Sequence, residues 1–266
     1  MKRLAPCAFA LCLLMPGCGG KPSGSATGAC GGVQARPAEP PRAREKYAVL
    51  VNGDSERRHK DNITRAYTTL TALGFEPAHI FVVSPPDRRG RLVKQTLRLA
   101  PVPDNFWRVM DELVETVGKG DLLVVYGTGH GDTDQGDSLL ELRNGEVWPA
   151  DLREEVDHYR GESVIVMDQC FSGGFADAFE GTGSRVIAIS SVDSRHLTDC
   201  YAFAKTFWDS FLHPERADAN HDGKTSLREA FGAALKAHQE ALAGDPEVSA
   251  SGVYRAFNGF EDVLLN

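Results

Sequence analysis

The 266-residue chain lacks three features that would each assign it to a large class of proteins. Basic residues are not in excess: the net charge is -8 and the pI is near 5.5, which argues against a general nucleic-acid binder. Its six cysteines are too few and too scattered for a disulfide scaffold. No apolar run of membrane-spanning length follows the N-terminal region. The remaining composition, 42% hydrophobic and 25% charged, is that of a globular protein with one sizeable domain.

The N-terminus has the pattern of an export signal. Lys2 and Arg3 precede an apolar run, Leu4–Met15, which is too short to span a bilayer. A glycine followed by Cys18 then resembles a bacterial lipoprotein signal, in which that cysteine is lipidated and becomes the new N-terminus. We therefore expect a signal peptide at residues 1–18 and an exported protein anchored in the bacterial cell envelope by a lipid on Cys18. Ordinary secretion to the periplasm or beyond, or an uncleaved apolar tail, is the alternative.

Residues 19–44 are rich in Gly, Pro, Ala and Ser and have no periodic apolar pattern, so they predict a flexible linker. The folded domain is expected at residues 45–266. It contains two cysteines, Cys170 and Cys200, which could pair in an oxidising compartment but stand in dissimilar contexts.

The folded part predicts an α/β protein. Short apolar runs rich in Val, Ile and Leu are typical of buried parallel strands: Tyr47–Val51, Ile80–Val83, Leu122–Tyr126, Val164–Met167 and Val186–Ile189. Amphipathic stretches between them predict helices, one ending at Gly74 and one at Gly118. Leu139–Leu142 and Asn144–Gly145 predict a small hairpin after the third strand. This alternation favours a mostly parallel sheet with helices on both faces.

Two of the predicted strands end in segments that favour nucleophilic chemistry. The strand at 122–126 leads through glycines to His130, and the strand at 164–167 leads to Cys170. A cysteine is a good nucleophile as the thiolate, which a nearby imidazole favours. The N–H groups of Gly131 and Cys170 would then stabilise a tetrahedral oxyanion. A buried cysteine or histidine alone is more often structural, but the two together at strand ends predict a catalytic dyad.

These segments resemble the caspase-related cysteine peptidases, which include caspases, metacaspases, legumain and the catalytic subunit of GPI transamidase. The resemblance rests on a buried strand ending in His130-Gly131 and a second ending in Asp168-Gln169-Cys170 with a Ser-Gly close behind. Further residues are similar to the legumain and GPI-transamidase branch: Arg58-His59, Asn62, Tyr67, Leu73–Phe75 and Ala78–Val83. The likeness covers residues 46 to about 213. It implies a three-layer caspase-like fold and cysteine endopeptidase activity.

The same resemblance implies a substrate pocket. The matching arginine of legumain-like enzymes lines the pocket for the residue before the scissile bond, so Arg58 would bind an Asn or Asp side chain by charge-assisted hydrogen bonds. Asp168, two residues before the nucleophile, and Thr198, with Ser190–Ser191, would line the same pocket. A surface arginine and a strand-capping aspartate are the alternatives. The branch has an asparagine that orients the histidine where this chain has Glu56.

Residues 218–229 match the twelve-residue EF-hand calcium loop. The expected ligands are Asp218, Asn220, Asp222, the Lys224 carbonyl, Ser226 and Glu229, with a glycine at position six. Helices are expected on both sides, at Tyr201–Leu212 and Leu227–Leu242. A solvated acidic turn that caps the second helix is the alternative. Calcium would be structural here, and the peptide chemistry would need no cofactor.

Three functions remain open on sequence grounds. The first is an exported cysteine endopeptidase acting on a peptide or protein substrate, with cleavage after Asn or Asp. The second keeps the fold without catalysis, as a calcium-stabilised binding lipoprotein. The third is a transamidase that uses the same dyad with an amine in place of water.

Overall fold

A computed structural model describes residues 43–86, 97–199, 201–242 and 249–265. Within these residues the chain forms ten strands in two sheets. They are β1 (Lys46–Asn52), β2 (Ile80–Val83), β3 (Leu97–Leu99), β4 (Leu122–Thr128), β5 (Gly131–Asp134), β6 (Asp137–Leu142), β7 (Gly145–Val147), β8 (Glu162–Asp168), β9 (Arg185–Ser190) and β10 (Val253–Ala256). The main sheet has the order β10-β9-β8-β4-β1-β2-β3, and β5, β6 and β7 form a small antiparallel sheet.

The main sheet is parallel except at one edge, where β10 runs antiparallel to β9. Its five inner strands are the apolar runs that the sequence predicted, and nearly all of their residues are buried. Strands covered on both faces need apolar side chains at every position, which is why they read as continuous runs. The predicted hairpin is confirmed as β6 and β7, with Asn144 and Gly145 both at positive φ.

Six α-helices of the described residues cover both faces of the sheet: α1 (Arg57–Ala72), α2 (Pro103–Thr116), α3 (Pro149–Asp157), α4 (Gly173–Asp177), α5 (Ala202–Ser210) and α6 (Leu227–Ala241). One core cluster joins α1, α5 and α6 to side chains such as Leu50 and Val124. The other joins α2, α3 and α4 to their neighbours Val49 and Val125 on the opposite face. The predicted α/β architecture, a mostly parallel sheet flanked by helices, is confirmed.

Some boundaries differ from the sequence predictions. Helix α2 ends at Thr116, two residues before the predicted stop at Gly118, and the C-cap residue Val117 is extended and buried against the core. Helix α5 is shorter than expected at both ends. Gly74 has φ of +85° just after α1, as expected of a helix-ending glycine. Strands β3 and β10 were not predicted, since they have three and four residues and are only partly buried.

Several sequence predictions lie outside the described residues. These are the signal peptide at 1–18 with its lipidated Cys18, nearly all of the 19–44 linker, and Cys200. In the described part of the chain, no helix combines the length and the apolar character needed to cross a membrane.

Candidate active site

Three adjacent parallel strands end in register at one edge of the sheet. Asn52 of β1 pairs with Thr128 of β4, and Thr128 pairs in turn with Asp168 of β8. Two residues beyond that row come Asp54, His130 and Cys170, in that order across the three strands. Polar groups at the carboxyl ends of parallel strands share one edge, which is where α/β proteins bind ligands. The register therefore brings the two predicted dyad residues to one place and adds a carboxylate.

The His130 and Cys170 segments contact each other directly. A Cβ atom added at Gly131 would lie 2.4 Å from the Cys170 carbonyl oxygen and 2.5 Å from Gln169 Cγ. Real Cβ atoms do not approach backbone oxygen so closely, so this position requires glycine. The glycine after the histidine is therefore explained by the close approach of the two segments.

Cys170 lies on a tight turn between β8 and α4. The next residue, Phe171, has φ of +59°, a conformation that costs a non-glycine residue of order 1–3 kcal/mol. Its N–H donates to the His196 carbonyl at 2.9 Å, which holds the turn in place. Gly173 packs against the backbone at Ser194, so the chain after the turn is fixed as well. Cys170 lies at the apex of this turn, and its side chain is partly exposed.

The sulfur of Cys170 contacts the backbone of Thr198. The Thr198 N–H donates to Sγ at 3.5 Å, and the Thr198 carbonyl lies 3.7 Å from Sγ as an acceptor for the thiol proton. The sequence predicted Thr198 as a pocket wall. In the structure it is nearly buried and reaches the predicted nucleophile through its main chain.

His130 is oriented by carboxylates. Its Nε2 lies 3.1 Å from Asp54 Oδ2 and 3.6 Å from Glu56 Oε1, so Nε2 carries the hydrogen and Nδ1 is the nitrogen left for proton transfer. Asn52 holds Asp54 by accepting its N–H at 2.8 Å and donating to its carbonyl at 2.9 Å, while the Glu56 N–H donates to Asp54 Oδ1. Asp54 was not predicted. Its position two residues after β1, matching that of His130 after β4, was the signal available.

Glu56 and Arg58 form one charged group beside His130. The second oxygen of Glu56 lies 3.0 Å from Arg58 Nε, so the carboxylate bridges the histidine and the arginine. Arg58 Nη1 also donates to the Asp199 carbonyl at 3.1 Å. The predicted pocket arginine thus stands at the same edge as the dyad, next to the segment that contacts the sulfur, and about a third of its side chain is exposed.

His59 is buried directly behind this group. Its Nδ1 lies 3.1 Å from Thr128 Oγ1, and the Arg58 Nε–H donates to its Nε2 at 3.2 Å. Burial, followed by the adjacent Arg58 charge, lowers the pKa of His59 to about 4. His59 is therefore neutral near pH 7 and acts as a hydrogen-bonded spacer between helix α1 and strand β4.

Asp168 is fully buried on the sheet face covered by α1, α5 and α6. Burial raises the pKa of its carboxyl well above the usual range, and hydrogen bonds from Ser191 and Tyr126 oppose that rise. The Tyr126 hydroxyl lies 3.4 Å from Asp168 Oδ2. Ser190 and Ser191 are also fully buried. Asp168, Ser190 and Ser191, which the sequence predicted as pocket-lining residues, are thus buried behind the Cys170 turn.

The Gly131 N–H points away from the small sheet. The Glu141 N–H donates to the His130 carbonyl at 3.0 Å, which makes His130 a hydrogen-bonded position of the β5–β6 ladder. Successive residues of an antiparallel strand direct their N–H groups to opposite sides. The Gly131 N–H is therefore turned away from β6.

A cavity of about 460 Å³ adjoins His130. Its wall includes Asp54, Pro85, Pro101, Leu142 and Arg143, so it is partly apolar with charged groups at its border. Arg58 and Cys170 do not line it. The cavity therefore lies next to His130 and away from the predicted arginine pocket.

Two sets of residues have the chemistry of metal ligands. Among the described residues, one set of three His, Cys, Asp or Glu side chains has ligand atoms within 4.8 Å of one another: Asp54, His59 and His130. A cation there would meet the guanidinium of Arg58, which already donates to His59. These three residues are therefore better explained as the support of His130.

The predicted calcium loop is closed by its own hydrogen bonds. Glu229 accepts the N–H groups of Ala219 at 3.0 Å and Asn220 at 3.2 Å, and Asp218 accepts that of Gly223 at 2.8 Å. Ser226 and Glu229 also form a capping box at the start of α6. Hydrogen bonds from Ser226, which contribute most, and from the N–H groups of Asn220 and Ala219 lower the pKa of Glu229. The oxygen-rich donor set fits a hard cation, and the capping role fits the alternative prediction equally well.

No protein-family model and no curated protein matches the sequence. Among solved structures, the chain is similar to protein GSU0716 from Geobacter sulfurreducens, with 12% sequence identity and a TM-score of 0.55. The alignment covers 83% of this chain and 97% of that chain. At this identity the likeness concerns the fold alone.

Proposed function

We propose that this protein is a cysteine endopeptidase of the caspase-like class, with Cys170 as nucleophile and His130 as general acid and base. The observation that carries the proposal is the aligned row of strand ends Asn52, Thr128 and Asp168. Two residues after these ends come Asp54, His130 and Cys170. The three-layer arrangement of the sheet and helices is consistent with a caspase-like fold. The residues shared with the legumain and GPI-transamidase branch support the same class.

The proposed chemistry assigns one role to each of these residues. His130 Nδ1 takes the thiol proton as Cys170 Sγ attacks the substrate carbonyl carbon, and the same imidazole then protonates the leaving amine. Asp54 stabilises the imidazolium formed between those two steps, as the third member of a catalytic triad does. The Gly131 and Cys170 N–H groups stabilise the tetrahedral oxyanion. Water then hydrolyses the thioester and releases the second product.

Arg58 is proposed to bind the Asn or Asp side chain of the substrate residue before the scissile bond. Its guanidinium is partly exposed and stands beside the nucleophile segment, where a planar fork of donors suits a carboxylate or amide. Asp168 is assigned no direct contact with substrate. It is fully buried, burial raises the pKa of its carboxyl, and its hydrogen bond with Tyr126 supports the wall behind the pocket.

The decisive experiment combines a peptide library with two cysteine variants. Wild-type protein should cleave a subset of peptides, and Cys170→Ala should abolish that cleavage while leaving the melting temperature within a few degrees. Cys170→Ser should retain at most a trace of activity, because a hydroxyl is a far weaker nucleophile than a thiolate. Cleavage that persists unchanged in Cys170→Ala would show that another residue is the nucleophile.

We also propose that the 218–229 loop binds calcium as a structural ion and that the protein acts outside the cytoplasm. Aspartate and glutamate carboxylates, an asparagine amide, a serine hydroxyl and a backbone carbonyl are the hard oxygen donors that calcium prefers. A bound ion would brace the start of α6. Melting with calcium and with chelator measures this effect independently of cleavage.

A further inference from the structure

His238 is a fully buried histidine of helix α6 that has no part in the chemistry proposed above. Its Nε2 lies 3.2 Å from Thr198 Oγ1 and 3.6 Å from Asp199 Oδ1. Burial lowers the pKa of His238, while Asp199 and the Ser191 backbone oppose that shift. A neutral imidazole thus stands behind the nucleophile, bonded to the residue whose backbone contacts the sulfur.

The Thr198–Asp199 segment is held from two helices. Arg58 of α1 donates to the Asp199 carbonyl, and His238 of α6 bonds the Thr198 hydroxyl. Between these two anchors, the Thr198 backbone makes both of its contacts with Cys170 Sγ. Any movement of this short segment therefore changes the surroundings of the sulfur.

The two contacts of Thr198 have opposite effects on the sulfur. The N–H donor stabilises the thiolate, because a hydrogen bond to an ionised acceptor is stronger than one to a neutral acceptor. The carbonyl acceptor instead stabilises the thiol by holding its proton. The two contacts have similar lengths, 3.5 and 3.7 Å, so a rotation of the Thr198 peptide would favour one over the other.

We propose that His238 is a positioning residue for the nucleophile: it acts through Thr198 to keep the Thr198 N–H directed at Cys170 Sγ. The inference rests on the proposed role of Cys170 as a nucleophile. The hydroxyl of Thr198 is nearly buried, and a bond to a rigid ring in α6 fixes both its side-chain rotamer and the attached peptide. His238 does not touch the substrate and transfers no proton.

The test measures the reactivity of Cys170 in four proteins. His238→Leu removes both ring nitrogens at similar volume, and His238→Gln restores a polar side chain able to reach Thr198. His158→Gln is the control, since His158 is exposed at the end of α3. Each full-length protein is alkylated with iodoacetamide from pH 5 to pH 9, and modification at Cys170 is followed by peptide mapping. Melting temperature, kcat and KM for a cleaved peptide are measured alongside.

We expect His238→Leu to slow alkylation at pH 7 by about tenfold, as when a charge-assisted hydrogen bond to the thiolate is weakened. The pH midpoint of alkylation should rise, and kcat should fall with KM unchanged. His238→Gln should recover most of the rate, and the control should match wild type. Wild-type alkylation in His238→Leu, or equal slowing in both His238 variants, would overturn the proposal.

If His238→Leu does not fold, Thr198→Val decides the question. This variant keeps the side-chain shape and removes the hydroxyl that bonds His238, so it should slow alkylation in the same direction. Alkylation at the wild-type rate would overturn the proposal. If the wild-type protein cleaves no peptide but these alkylation differences appear, the peptidase proposal fails and the positioning role stands.

Discussion

Asp54→Asn removes the charge beside His130 and preserves the size of the side chain. The carboxylate oxygen lies 3.1 Å from His130 Nε2. Two unit charges at that separation attract by about 1.3 kcal/mol in bulk water and about 5 kcal/mol at an effective dielectric constant of 20. The side chain of Asp54 is 21% exposed and that of His130 is 45% exposed, so the lower part of this range applies. We expect a loss of about 1–2 kcal/mol, or roughly five- to thirtyfold in kcat.

The assay is steady-state cleavage of the best library peptide. KM should change little, because Asp54 is expected to act on the imidazolium that forms during the reaction rather than on bound substrate. Glu56→Gln should cost less than about threefold, since Glu56 is farther from His130 and half exposed. Asp61→Asn is a matched control: Asp61 has the same side-chain exposure, 21%, but pairs with Arg57.

The reasoning would be refuted if Asp54→Asn kept a kcat within twofold of wild type while Glu56→Gln lost tenfold. In that case Glu56, at the position where the legumain branch has asparagine, would be the residue that orients the histidine. A similar loss in Asp61→Asn would indicate a general effect of removing charge from this end of α1.

Three further predictions follow from the contacts. Gly131→Ala places a Cβ 2.4 Å from the Cys170 carbonyl oxygen and should abolish cleavage and lower the melting temperature. The control Gly232→Ala, in open space on α6, should stabilise the protein by up to about 1 kcal/mol. Normal cleavage by Gly131→Ala would contradict the close approach of the two segments. The pKa of His59 is lowered to about 4, so its contribution to stability is complete above the unfolded pKa near 6.5 and is lost as the pH falls through about 4. His59→Gln should therefore flatten the dependence of the melting temperature on pH across that interval. An unchanged pH dependence would count against a buried neutral His59. With chelator present, Glu229→Gln should lower the stability of the protein by about 1 kcal/mol, because it weakens the capping box. Calcium should raise the melting temperature of wild type but not of the variant. If wild type melts at the same temperature with and without calcium, Glu229 is a helix cap and not a calcium ligand.

Much of the fold could be predicted from the sequence because its inner strands are covered on both faces. Burial on both sides demands an unbroken apolar run, and such runs mark β1, β2, β4, β8 and β9. Strands β3 and β10 lie at the edges, where partial exposure removes that demand and leaves three- or four-residue segments without a pattern. Their pairing depends on neighbours far away in sequence.

In the candidate site, too, some residues could be identified from local sequence and others only from tertiary contacts. His130 and Cys170 could be identified because each follows a buried strand and precedes a turn of small residues, which is a local pattern. Asp54 has only its matching position after β1 as a signal, since an aspartate after a strand is ordinary, and the folded chain is what brings it 3.1 Å from His130. The same holds for Thr198, whose side chain was predicted to matter while its backbone makes the contact.

The layers of the fold and the two segments that carry the predicted dyad, with the glycine at 131, could be inferred from the sequence alone. These features depend on burial and backbone conformation, which follow from the residue types and their near neighbours in the sequence. Tertiary structure alone decided which carboxylate faces His130, that Asp168 is buried with a raised pKa, and that His238 stands behind Thr198. Those relations join residues far apart in sequence, such as Thr198 and His238, which are 40 positions apart. Strand register and helix packing set them, rather than any residue's own preference.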